Sequence, residues 1–107
     1  MHLFVSAGEP SGDLHGSNLI HALKAAHPDA KIVGFGGPRM LDAGQDQLFP
    51  LTKLAVMWFG RALLNYGTFL RLARQAEVYF RRQKPDALVL INYPGFHFAL
   101  AKRAARA

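Results

Sequence analysis

Three short apolar runs, each ending in a loop that carries glycine or proline, constrain this chain more than any other feature. Leu3 to Ala7 stops at Gly8, Lys31 to Phe35 stops at Gly36-Gly37-Pro38, and Ala87 to Ile91 runs into Asn92-Tyr93-Pro94-Gly95. Apolar runs of this length bounded by turn residues read as strands. Ala87 to Ile91 is apolar throughout, as expected of a strand covered on both faces. After the first run, Leu14, Leu19, Ile20 and Leu23 lie near helical spacing in a segment from Leu14 to Ala26, which Pro28 closes. Leu41 to Leu51 reads as a short helix followed by an irregular piece or a short strand. Lys53 to Arg82 reads as one or two helices, with Gly60 and Gly67 as candidate breaks, and Phe96 to Arg106 begins another. Strands alternating with helices predict an α/β fold with three parallel strands joined by right-handed crossovers.

The chain has 107 residues, room for one domain, and half of them are hydrophobic, enough for a packed core. It has no cysteine, which excludes disulfides, thiol nucleophiles and thiolate metal sites. The five histidines, at 2, 15, 21, 27 and 97, show no ligand-gathering spacing, so no metal site is expected. Ala101 to Ala107 is helix-forming sequence with no cap, Gly or Pro to end it, and three strands make a thin sheet. A fragment of a larger architecture is therefore expected.

Thirteen Lys and Arg against seven Asp and Glu give a net charge of +6, which favours anionic partners. Eleven of the 13 lie from Arg39 onward, many between Arg61 and Lys84 among large apolar side chains. That interleaving suits a membrane surface better than a nucleic-acid groove, and no stacking platform or recognition helix is evident. Leu54 to Leu72, the most apolar long segment, contains Arg61, Asn65 and Arg71, too polar for a span of about 20 residues. No basic n-region precedes the short apolar stretch from His2 to Ala7, so no secretory signal is expected and the cytoplasm is the expected compartment. Trp58, Ala62, Tyr66, Phe69, Ala73, Ala76 and Phe80 recur on one helical face, opposite Arg61, Asn65, Thr68, Arg71, Gln75 and Arg82. Such a face usually packs on a core. The apolar stretch Leu54 to Gly60, with Trp, Tyr and flanking Arg, equally suits interfacial anchoring.

Three loops follow strands at the carboxyl edge of the sheet, where ligands of open α/β folds bind. Gly8-Glu9-Pro10-Ser11-Gly12-Asp13 allows tight turns before a helix whose free N–H groups attract anions, with Ser11 or Asp13 as candidate caps. The alternative is an ordinary strand-to-helix turn, since its spacing matches neither a Rossmann fingerprint nor a P-loop. Gly36-Gly37-Pro38-Arg39-Met40 permits close approach of a ligand or a neighbouring loop, and Arg39 could meet a phosphate or be simply solvated. Asn92-Tyr93-Pro94-Gly95-Phe96-His97 brings an amide to the same rim. His97 titrates near neutrality and could act as acid, base or anion contact, although a lone loop histidine is more often structural.

Ser6 to Gly16 (Ser-Ala-Gly-Glu-Pro-Ser-Gly-Asp-Leu-His-Gly) resembles the opening motif of lipid-A-disaccharide synthases, "AGE-x-SGD-x-x-G". Gly34 to Met40 resembles the family's second-strand motif, and Leu54 to Met57 its "LAVMG" segment, with Trp58 in place of the glycine. Lys84-Pro85-Asp86, the following apolar run and Asn92 to Phe96 resemble its "KPD…IDxPxFN" stretch. The resemblance implies a Rossmann-like domain, the N-terminal half of a two-domain GT-B glycosyltransferase, with residues 1–107 as an incomplete acceptor- and membrane-side domain lacking the donor domain. It implies transfer of diacylglucosamine from UDP-diacylglucosamine to diacylglucosamine 1-phosphate with release of UDP, no metal or other cofactor, and no nucleic-acid partner. It further implies peripheral attachment to the inner membrane through Met57, Trp58, Phe59, Leu63, Tyr66, Phe69 and Leu70. Substrate contacts are implied at Gly8, Glu9, Ser11, Gly12, Asp13, Gly36, Gly37 and Arg39. Asn92 stands where the family has an aspartate that is a leading candidate for the catalytic base, and a neutral amide is a poor base. His97 stands where the family has an asparagine. Two expectations follow: His97 takes over as base, or the chain is a catalytically weak relative that Asn92→Asp would activate. A non-catalytic lipid- or anion-binding module derived from the family is the alternative reading.

Overall fold

The computed structural model describes residues 1–53 and 62–107, with side chains described outside 62–66. The strands are β1 (His2–Ala7), β2 (Lys31–Phe35), β3 (Asp46–Phe49) and β4 (Ala87–Ile91). The helices are α1 (Pro10–Ala26), α2 (Pro38–Asp42), α3 (Ala62–Gln83) and α4 (Pro94–Arg106). The sheet has four strands in the order β3-β2-β1-β4, and every pair is parallel. The expected α/β class, Rossmann-like with flanking helices, is what forms.

β1 lies at the centre because its interior is apolar on both faces: residues 3 to 7 are all buried. Successive side chains alternate between faces. Phe4 joins Val33 and Phe35 beneath α3 and α4, packed against Leu72, Ala73, Ala76, Phe80, Phe96 and Leu100. Leu3, Val5 and Ala7 join Ile32 on the other face, under Ile20 of α1 and Met40 of α2. The result is three layers, with α1 and α2 on one side and α3 and α4 on the other. The β1–β2 contact is close enough to require glycine. Gly34 has φ +149°, and a Cβ there would sit 2.0 Å from the Val5 carbonyl oxygen.

Two expectations are corrected. The sheet has four strands rather than three, because Asp46–Phe49 pairs with β2 at the outer edge. Its Asp-Gln-Leu-Phe sequence has no apolar alternation; the strand is held by the ladder and by Gln45 and Gln47, whose amides donate to the carbonyls of Val5, Phe35 and Gly37. Helix starts also move upstream. α1, α2 and α4 each begin on the proline that follows their strand loop, at Pro10, Pro38 and Pro94. Proline is favoured at a first helical position, where its missing N–H removes no bond. Residues 10–13 are therefore the first turn of α1 rather than loop, and neither Ser11 nor Asp13 caps it; Glu9 is the N-cap residue and makes no side-chain cap bond. α3 runs unbroken through Gly67, whereas Gly60 lies outside the described residues.

Asp13 caps α2 instead. Its Oδ1 accepts from the backbone N–H of Gly37 and Met40, both at 2.9 Å, and its Oδ2 accepts from Arg39 at 3.0 Å. The carboxylate thereby satisfies donors that a five-residue helix would otherwise leave unpaired. Asp13→Ala is expected to lower unfolding free energy by about 3 kcal/mol, the order for losing several charged hydrogen bonds at a buried site. Urea denaturation checks this; a loss below about 0.5 kcal/mol, the range of an inert surface change, would contradict the role.

Candidate functional site

The three loops meet at the carboxyl edge and lock together. Asp13 ties the start of α1 to the loop after β2. Gly12 brings α1 close to the strand ends, where an added Cβ would be 3.2 Å from the Ala7 Cβ and 3.4 Å from Ile91 Cγ2. At Gly8 the Tyr93 ring lies over the backbone: a Cβ would sit 2.4 Å from its Cδ2. Among the residues expected to bind substrate, Gly8, Gly12, Asp13, Gly36 and Gly37 are buried, with Asp13 engaged by three backbone donors. Ser11 and Arg39 are exposed on α1 and α2, and Glu9 is half-buried at the rim.

Asn92 is exposed at the end of β4, with φ 54°. His97, by contrast, is buried in the first turns of α4. Its Nδ1 bonds the Asn92 carbonyl and its Nε2 is 2.8 Å from the Ser6 hydroxyl. A carbonyl only accepts, so the proton sits on Nδ1; Nε2 then accepts from Ser6. Burial lowers the His97 pKa, opposed by the bond to Asn92. Both ring nitrogens are thus occupied inside the protein, and neither faces the rim as a free base.

Between α3 and α4 a groove of about 570 Å³ opens beside this rim. Its walls are Phe69, Leu70, Ala73, Phe96 and Ala99; Glu9 and Tyr93 lie at the rim, and Arg103 also lines it. Phe69, Tyr93 and Phe96 form one aromatic cluster, with centroid separations of 5.6 to 6.3 Å. Burial, then the nearby Glu9, raises the Tyr93 pKa, so its hydroxyl stays a donor. Arg103 pairs with Glu77 at 2.8 Å, and Arg81 and Arg106 share that carboxylate. Hydrogen bonding to Arg81 leads the causes that hold Glu77 below the usual carboxylate range.

Of the expected membrane contacts, Met57, Trp58 and Phe59 lie outside the described residues, as do the side chains of Leu63 and Tyr66. Phe69 is half-buried in the core cluster, and Leu70 is exposed at the groove. No helix among the described residues is long and apolar enough to cross a membrane. Ser6, Ala99 and Arg103 are site residues that the sequence does not point to, and Tyr93 lies in the third candidate loop without a role of its own. Of the first three, Ser6 alone carries a local signal, as a polar residue inside an otherwise apolar strand.

The comparisons with known proteins agree with one another. The family model described as lipid-A-disaccharide synthetase matches residues 3–107. Curated proteins named lipid-A-disaccharide synthase are similar throughout. The one from Methylobacillus flagellatus is 39% identical over 99 residues, covering 92% of this chain and 26% of the relative. One from Coxiella burnetii is 40% identical over 101 residues, covering 94% and 27%, and one from Vibrio vulnificus is 39% identical over 100 residues, covering 94% and 26%. The chain spans about a quarter of the length of the curated relatives it matches.

The lowered His97 pKa has a testable consequence. The unfolded chain binds the imidazole proton at higher pH than the folded one, so stability is full above the ordinary imidazole pKa and falls as pH drops through it. Unfolding free energy from about pH 7.5 to about pH 5 should decline more steeply in the wild type than in His97→Asn. Identical slopes would show that His97 is not buried neutral.

Proposed function

The chain belongs to the lipid-A-disaccharide synthetase family, and we propose that it is the acceptor side of a GT-B glycosyltransferase of lipid A assembly. The reaction joins UDP-diacylglucosamine to diacylglucosamine 1-phosphate: an acceptor hydroxyl attacks the donor's anomeric carbon, UDP leaves with the bonding electrons, and the hydroxyl proton passes to a base. The observation that carries this reading is the apolar groove opening beside the polar rim. An acyl chain suits walls of Phe69, Leu70, Ala73, Phe96 and Ala99, which would leave its sugar beside Glu9, Tyr93 and Asn92. Glu9, Ser11 and Arg39 are the accessible candidates for substrate contact among the first two loops. Gly8, Gly12, Asp13, Gly36 and Gly37 support the rim's shape.

The acceptor is an amphiphile, so the protein would work at the cytoplasmic face of the inner membrane. Exposed Leu70 and the apolar stretch through Met57, Trp58 and Phe59 support that placement, with Leu63, Tyr66 and Phe69 on the same segment. The remaining family length would supply the UDP site. No cofactor enters this inverting transfer.

Asn92 favours a second reading. Its amide can orient a hydroxyl but cannot take its proton at neutral pH, and His97 offers no free nitrogen at the rim. A lipid-binding module with weak or no transferase activity fits these two residues. Binding of diacylglucosamine 1-phosphate, followed by titration calorimetry in detergent, tests what the readings share. Ala99→Trp, which fills the groove from an exposed helix position, should weaken binding at least tenfold; unchanged binding would remove the groove from the account. Transfer from UDP-diacylglucosamine by the chain joined to the rest of the family length separates the readings. Asn92→Asp should raise the rate by about 100-fold or more, the scale of general-base catalysis. Full activity with Asn92, unaltered by the substitution, would contradict both the base assignment and the weak-relative reading.

A further inference from the structure

Three features of β1 and the loop after β4 are not explained by the groove. Asn92 and Tyr93 are consecutive residues in the left-handed region, with φ 54° and 58°. Asparagine tolerates that conformation; tyrosine does so rarely, and such strain persists only where surrounding structure imposes it. Ser6 is a fully buried hydroxyl on the central strand, and His97 is a buried imidazole.

We propose that Ser6 and His97 form a relay that positions residue 92 at the rim, anchoring the loop after β4 to the centre of the sheet. Ser6 is fixed by the ladder on both sides, opposite Phe35 of β2 and Leu90 of β4. Its hydroxyl donates to His97 Nε2 at 2.8 Å, which holds the ring with Nδ1–H directed at the Asn92 carbonyl. The ring packs against both Tyr93 and Phe96, with its centroid 6.0 Å from each. The carbonyl of residue 92 is therefore drawn inward, which accounts for the left-handed turn there. The backbone bond from His97 N–H to the Tyr93 carbonyl, at 3.1 Å, closes the same turn of α4. A second clamp acts on the next residue, because the Tyr93 ring lies over Gly8. Ser6 and His97 are positioning residues: both are buried, and they act through the backbone of Asn92. The consequence for transfer rests on the function proposed above; the relay itself does not.

Nitrogen-15 NMR of the chain and its variants tests it. The His97 ring should show a protonated Nδ1 in slow exchange with water and an Nε2 shift of lone-pair nitrogen. Backbone shifts and couplings should place residues 92 and 93 at positive φ. His97→Asn keeps an N–H donor near the Nδ1 position, so it should preserve the left-handed turn. His97→Gln and His97→Ala should lose it while β1 and β2 signals persist. Ser6→Ala should leave the turn formed but release the ring, seen as faster exchange of Nδ1–H by tenfold or more. Loss of the turn in His97→Asn, its retention in His97→Ala, or an Nε2–H tautomer in the wild type would each overturn the relay. Should His97→Ala not fold, Ser6→Ala and His97→Asn still decide it. Diacylglucosamine 1-phosphate binding in the same samples keeps the two proposals separable. Binding without the relay signals defeats the relay alone, and relay signals without binding defeat the lipid reading alone.

Discussion

The Asp13 carboxylate, buried against the backbone N–H groups of Gly37, Arg39 and Met40, is the constraint on which the rim depends. α2 has five residues, too few to be stable alone. Its first turn is held by an acceptor from α1, which in turn is seated on the strand ends by Gly12. The loops after β1 and β2 therefore form one body. The loop after β4 is added to that body by the Tyr93 ring over Gly8 and by the His97 bonds. A rim built this way is rigid because each loop is held by side chains of another element.

Much of the architecture was legible from local sequence. β1, β2 and β4 follow from apolar runs that stop at turn residues, and α3 from the spacing of Phe69, Ala73, Ala76 and Phe80. β3 was ambiguous because Asp46–Phe49 is an outer strand whose stability comes from its neighbour and two glutamines. Pro10, Pro38 and Pro94 each occupy a first helical position, which local sequence does not distinguish from a loop proline. The site was less legible for a different reason. Asp13 reads as a local cap, but its partners are 24 to 27 residues away, and Ser6 meets His97 across 91 residues. Ala99 and Arg103 line a groove that exists only once α4 packs beside α3.

The chemistry of the chain is divided between these parts. The groove offers apolar walls for a hydrocarbon chain, and the rim offers hydrogen-bonding groups, which together suit an amphiphile better than a wholly polar ligand. In the proposed reaction, the exposed Asn92 would stand where a carboxylate could accept a proton, and its amide would limit that position to orientation. On that proposal, family membership and groove geometry would bear on what the chain binds, while residue 92 would bear on the rate of transfer.

Photo-crosslinking would locate a bound acyl chain on the protein. A diacylglucosamine 1-phosphate analogue carrying a diazirine near the end of one acyl chain would be irradiated with the chain, and the labelled residues mapped by mass spectrometry. Labels are expected on Phe69, Leu70 or Ala99, competed away by unmodified lipid. Uncompeted labelling, or labels confined to the α1 and α2 face, would contradict it.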